Sequence, residues 1–374
     1  MSTYQYYEWL AIDRPLEDDQ LSEVVGLSSH METATPTQAF VSYSYGSFKH
    51  DPLDILARHF DAFLYSANWG TRQLAFRLPN TVISAKALKP WLIDRVVTVK
   101  QLQTHLILDI SFDLEDQDGE WVDGTRLLAS LSGLRRQLIN GDYRVLYLVW
   151  LATTSRRRTD DDVEGDSIGD EPPVPEGLQT LDGSLSALCA FLDVDRTLVA
   201  AAAAGSANAK QPTDADLRAA IARLPRARCD AYLFKLLQDT PQLGSELRNE
   251  LGMTGASVAT RTGAGRSIQT LIAAAHDLTR QSQILAQKKA EHERIAELEA
   301  LGARGETVWE DVAIALDKKT AAGQNTAVKL LIDLHDMSRH RKTGASFRLR
   351  FEQIVKQYGR SRALMNRLEA AGLL

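Results

Sequence analysis

Residues 153–177, TTSRRRTDDDVEGDSIGDEPPVPEG, break the apolar patterning of this chain more completely than any other stretch. They hold almost no large apolar side chain, blocks of opposite charge and three prolines. Such a segment cannot bury enough surface to offset its ordering entropy, so it reads as an acidic, Pro-rich linker over 153–178. The 374 residues are enough for two or three cores. The linker therefore parts an N-terminal domain, 1–152, from helical regions at 179–265 and 266–374.

Before the linker, helical and alternating patterns take turns. YQYYEWLAI (4–12) reads as an aromatic strand, followed by a helix over 13–28 with Asp13 as cap and Pro15 near its first turn. QAFVSYSYG (38–46) alternates with the period of a half-buried strand. Residues 51–68 offer Asp51 as a cap, Pro52 at the first turn and a stripe of Leu53, Leu56, Phe60, Phe63 and Leu64, the pattern of a helix. Asn68-Trp69-Gly70 would then turn the chain into a strand, TRQLAFRLP (71–79), in which Leu74, Phe76 and Leu78 alternate with Gln73, Ala75 and Arg77. One or two further strands within 95–124, turning at EDQDGE (115–120), and a helix around 125–141 follow. DYRVLYLVWLAT (142–153) fits strand or helix equally. The fold class expected is α+β: an N-terminal α/β sandwich of split-βαβ character, then an all-α helical bundle or irregular helical repeat.

The helical part contains LSALCAFLDV with RTLVAAAAAGSA, TDADLRAAIARL with a Thr cap and acids in its first turn, CDAYLFKLLQD and LGSELRNELG. A Gly/Thr-rich joint (253–265) precedes one long helix over 266–305 with a polar projecting half, and shorter helices close the chain.

Several functions lose their footing on composition. The net charge of −6 provides no general footprint for nucleic acid, and the longest apolar run (197–207) is far below the roughly 20 residues of a membrane span. The first residues lack a basic, cleavable leader, and Cys189 and Cys229 sit at apolar helical positions as two buried thiols, so a cytoplasmic setting is expected. TGAGRS (262–267) follows no strand and lacks the Lys of a phosphate loop. His335 and His340, near Asp333 and Asp336, stand five apart on a helix, too far round it for joint metal ligation. A catalytic site from scattered residues such as His50, His59 and Asp61 is the weakest option. No catalytic, cofactor or metal residue is assigned. The ring-rich strands read as core before they read as a base-stacking face, because Lys and Arg are not interleaved with them.

The tail is different. Basic residues far outnumber acids there, and Arg339, Arg341, Lys342, Arg348 and Arg350 can form a cationic patch for phosphates or an acidic protein surface. Trp309, Phe347, Phe351 and Tyr358 are the aromatic side chains fit to anchor a protein partner.

YQYYEWLAIDRPL (4–16), FDAFLYSANWGTRQLAFRLP (60–79), AVKLLIDLHDMSRHRK (327–342) and FRLRFEQIVKQYGRSRALMNRLEAAGL (347–373) resemble a family of uncharacterised bacterial proteins often encoded beside SWIM zinc-finger proteins. The resemblance covers most of the chain and implies bacterial origin and a protein partner. It brings no metal site, since the Cys-x-Cys and Cys-x-His pattern is missing. The expected function is a non-enzymatic adaptor that joins other proteins of a bacterial system, with defence or stress as its setting. An RNA- or DNA-binding module using the basic C-terminal helices is the alternative.

Overall fold

The computed structural model describes residues 3–112, 126–157, 171–208, 212–253 and 266–374. They fall into two compact units, 1–278 and 279–374. The turn expected at 115–120, residues 158–170 of the expected linker and the joint from 254 onward lie outside the described residues.

The first unit is built on a seven-stranded sheet. In chain order it runs β1 (Gln5–Leu10), α1 (Asp18–Gly26), β2 (Met31–Ala34), β3 (Gln38–Tyr43), α2 (Pro52–His59), β4 (Ala62–Ala67), β5 (Arg72–Pro79), α3 (Ala85–Leu88), β6 (Val97–Gln101) and β7 (His105–Phe112). The strand order is β2-β3-β1-β4-β5-β7-β6, and every pair is antiparallel. The class is α+β, with helix and strand alternating along the chain and every strand pair among the described residues antiparallel.

Period-2 alternation divides the sheet's side chains between two cores. Tyr6, Leu64, Leu74, Phe76, Leu78, Leu106, Leu108 and Ile110 enter one; Tyr7, Trp9, Phe63, Ala75 and Ile107 enter the other, beneath α1 and α2. β4 is therefore buried on both faces.

This corrects the reading of 51–68 as one helix. Asp51 does cap α2, accepting from the Leu53 amide at 2.9 Å, but the helix ends at His59 and residues 62–67 are strand. Phe60, Phe63 and Leu64 satisfy a helical stripe and a doubly buried strand equally well. Residues 68–70 then close a β4–β5 hairpin, with Gly70 at φ +103° and the Ala67 amide donating to the Thr71 carbonyl at 2.9 Å. The start of α1 also differs: it lies at Asp18, and Asp13 is not its cap.

The second sheet face is covered by α4 (Leu127–Leu131), α5 (Gly133–Ile139), α6 (Arg144–Arg157), α7 (Gly183–Phe191), α8 (Arg196–Ala203) and the first turns of α12, which follows α9 (Asp214–Ile221), α10 (Arg226–Leu237) and α11 (Leu243–Glu250) and spans Ile268–Ala303. The ambiguous apolar run 142–153 is helix α6. Residues 145–152 are all buried, so the helix is apolar on every side.

The linker boundary also shifts. α6 runs to Arg157, and Glu171 and Leu178 are buried. Glu171 accepts from Arg266 at 2.6 and 2.8 Å and from the Tyr147 hydroxyl, so the acid-rich stretch supplies a buried ion pair. Leu185, Leu188, Phe191 and Leu198 share the sheet's core instead of forming a separate domain.

The second unit comprises α12 from Thr279, then α13 (Glu306–Asp317), α14 (Ala321–His340), α15 (Gly344–Tyr358) and α16 (Arg362–Ala370), around Val308, Val312, Leu331, Leu334, Phe351 and Leu368. Residues 280–293 of α12 are exposed all round. No helix among the described residues is long and apolar enough to cross a membrane.

Candidate functional sites

The tail residues separate into two groups. Phe351 is buried in the core of the second unit, and Trp309, Phe347 and Tyr358 pack at its edge. Phe347 lies 5.7 Å from Trp309, 5.6 Å from Phe351 and 5.3 Å from His335, centre to centre. Tyr358 donates to Asp317 at 2.8 Å. These rings hold α13, α14 and α15 together and do not project as anchors.

Arg350 is likewise committed: it pairs with Glu306 and its guanidinium sits 5.8 Å over the Trp309 ring. Arg341 rests on α12 at Gly302, where an added Cβ would come within 2.7–2.8 Å of its guanidinium. Arg339, Lys342 and Arg348 are exposed, and no ion pair joins them to a described residue.

A second surface lies on α10. Its inner side is charged: Arg228 and Tyr232 bond to Glu250, and Lys235 bonds to Glu246, both acids being on α11. Arg228 and Tyr232 hold the Glu250 carboxyl down to about 2. With these groups turned inward, Leu233, Phe234, Leu236 and Leu237 point out, at 56, 61, 60 and 84% exposure. At 100° per residue these four span an arc of about 160°. Ile221 on α9 is exposed as well. The usual amphipathic arrangement is inverted. Its sequence looks like any apolar stripe, and only the acids on α11 reveal its direction.

α11 in turn is seated by polar contacts. Gln242 at its start donates to Asp13 at 2.6 Å, Ser245 bonds Asn140 at 2.7 Å, and Asn249 donates to the Val82 carbonyl at 3.3 Å. Asp13 belongs to a buried charge cluster. The Asp61 carboxylate, 1% exposed, accepts from the Ile12 and Asp13 amides at 2.7 and 2.8 Å, from Arg77 at 2.9 Å and from Arg135 at 3.3 Å. Arg135 reaches both Asp13 oxygens at 2.8 and 2.7 Å and the Arg77 carbonyl at 2.8 Å. Burial by itself would raise the Asp61 pKa, but Arg135, Arg77 and the two amides together lower it below the ordinary carboxylate value. Every oxygen is engaged, so the cluster staples five chain segments together.

Of the scattered residues considered for catalysis, Asp61 belongs to the charge cluster, and neither buried ring nitrogen of His59 makes a hydrogen bond among the described residues. His50 stands edge-on to Phe48 at 5.5 Å, and His59 Nε2 lies 3.4 Å from Glu23. Asp333 and Asp336 accept from Arg294 at 2.7 and 2.9 Å. No group of three potential metal ligands gathers among the described residues. Cys189 and Cys229 are free and half-buried, where two buried thiols were expected.

Glu8 was not singled out from the sequence. It is fully buried on the face of β1 covered by α4, accepting from Gln38 at 2.6 Å and from the Leu128 amide at 3.4 Å, and burial raises its pKa.

Compared with models of known protein families, with curated proteins and with solved structures, the chain finds no match.

Proposed function

We propose that this protein is a non-enzymatic adaptor that assembles with a partner protein of a bacterial multi-protein system. The outward apolar face of α10 carries the reading. A helix that turns Arg228 and Lys235 toward α11 and Leu233, Phe234, Leu236 and Leu237 away from it leaves a surface that water disfavours. Burying each such side chain is worth about 1.5–3 kcal/mol, and compact clusters of this kind mark protein interaction sites.

The occupant is an apolar helix face of another protein. Arg226 and Asp230, a mixed-sign pair at 3.0 Å, flank the stripe, so its rim does not select a polyanion. A few aromatic and aliphatic anchors inside a mixed polar rim is the composition of a protein interface.

The test is site-specific photo-crosslinking in the native host, with the photoreactive residue at Leu237. The reading expects one discrete crosslinked protein, lost when Phe234 and Leu233 are changed to Ser, and no such product from a photoreactive group at the exposed Lys288. A crosslink only between two copies of the chain, or none at all, overturns it.

A further inference from the structure

We propose that the corner formed by the end of α14 and the start of α15 binds the phosphate backbone of a nucleic acid through Arg339, Lys342 and Arg348. This goes beyond the adaptor reading and rests on different residues.

Charge is segregated along the chain. Residues 279–374 hold 17 Lys and Arg against 12 Asp and Glu, net +5, within a chain of −6. Several acids of this unit are paired internally with its own cations. Asp333 and Asp336, the two that precede the basic run on α14, are both held by Arg294; Glu306 is held by Arg350 and Asp311 by Arg304. Glu352 is four residues beyond Arg348, yet no ion pair joins them among the described residues. The run Arg339-His340-Arg341-Lys342 is thus left uncompensated.

One or two cations would suffice to complement the negative end of α14. Here the run continues past the helix, and Lys342 takes a left-handed conformation, φ +59°, that turns the chain into α15. The His335–Phe347 ring contact packs the first turns of α15 against the last turns of α14, and Arg348, exposed, follows Phe347 in the chain. Between them lie the exposed Thr343, Gly344, Ala345 and Ser346, small residues with two hydroxyls that let a phosphate chain approach closely.

A spread of cations with small polar residues between them suits a repeating anion. A protein partner would instead need buried anchors. Phe351 is buried and Trp309 and Phe347 pack at the edge of the core, and Leu349 is the one large apolar side chain exposed between residues 339 and 350.

The full chain is titrated into a labelled single-stranded oligonucleotide, as RNA and as DNA, and into a duplex, across a salt series read by fluorescence anisotropy. Wild type should bind with strong salt dependence. Arg339→Ala, Lys342→Ala and Arg348→Ala together should weaken binding at least about tenfold and flatten the log–log salt slope by roughly 2, from about 0.7–0.9 per phosphate lost. Arg341 is left in place because it packs on Gly302. Arg339→Lys with Arg348→Lys should keep the slope, since charge is retained. A charge-matched control, Lys318→Ala, Lys319→Ala and Lys329→Ala, should change affinity less than about twofold. Three outcomes overturn the proposal: no salt-dependent binding by wild type, equal effects of the two triple variants, or loss of an acidic protein partner in the triple variant without oligonucleotide binding in wild type.

Discussion

Replacing Asp61 by Ala tests the energetic reading of the buried cluster. The change removes the acceptor for the Ile12 and Asp13 amides, for Arg77 and for one contact of Arg135, while Arg135, 2% exposed, keeps its two bonds to Asp13. Removing one partner of a buried pair typically costs about 3–5 kcal/mol, because the remaining charge stays desolvated. The exposed Arg226–Asp230 pair provides the contrast: Arg226→Ala should cost at most about 0.5 kcal/mol. Urea unfolding read by tryptophan fluorescence suits the comparison, since five of the six tryptophans lie in residues 1–278. The Asp61 pKa is lowered in the folded state, so its contribution is present above the unfolded carboxyl value of about 3.9 and is lost as pH falls below it. The gap between wild type and Asp61→Ala should therefore be constant from pH 7 to 5 and narrow only in stronger acid. A cost within 1 kcal/mol of that for Arg226→Ala, roughly what an exposed pair is worth, would refute the argument.

Glu8 should show the opposite pH behaviour. Its folded pKa is raised by burial, so stability declines as pH climbs above the unfolded value of about 4.3, and Glu8→Gln should flatten that decline in urea titrations between pH 4 and 8; an unchanged profile would speak against it. Gly323 allows α13 and α14 to meet closely, since an added Cβ would lie 2.3 Å from the Ala315 carbonyl oxygen. Despite the better helix propensity of alanine, Gly323→Ala should cost about 1–3 kcal/mol and speed amide exchange in α13 and α14, and equal or slower exchange would count against the close approach. Burial pushes the Cys189 thiol up to about 11, so it should react with iodoacetamide at pH 8 far more slowly than a free cysteine, as peptide mass mapping can check.

Some of this structure is legible in the sequence. β5 was readable because Leu74, Phe76 and Leu78 face one core while Gln73 and Arg77 stay partly exposed, and α2 because Asp51 and Pro52 announce its start. β2 leaves no mark in the sequence, because META is a short edge strand with no fully buried side chain and no visible alternation. Phe60 to Leu64 were misread because a strand buried on both faces has no polar side to show its period.

The candidate surfaces follow the same logic. The tail cations could be named from sequence, but the commitment of Arg350 depends on Glu306, 44 residues earlier, and that of Arg341 on Gly302. Asp13 resembled a helix cap until Arg135 and Gln242 supplied its true partners. An apolar stripe ordinarily faces the core, so the outward direction of Leu233 and Leu237 was hidden in the acids of α11.

The core that spans β4, β5 and β7 is completed by Leu271 and Ala275, the first turns of α12. Synthesis runs from the N-terminus, so these side chains arrive long after the strands they cover. At roughly 5–20 residues per second, the ribosome needs on the order of ten to thirty seconds to pass from Phe112 to Leu271. During that interval the nascent sheet carries an unfinished apolar face, and a chain cut short before α12 keeps it. Premature termination in this region would yield an adhesive fragment for the cell's chaperones and proteases.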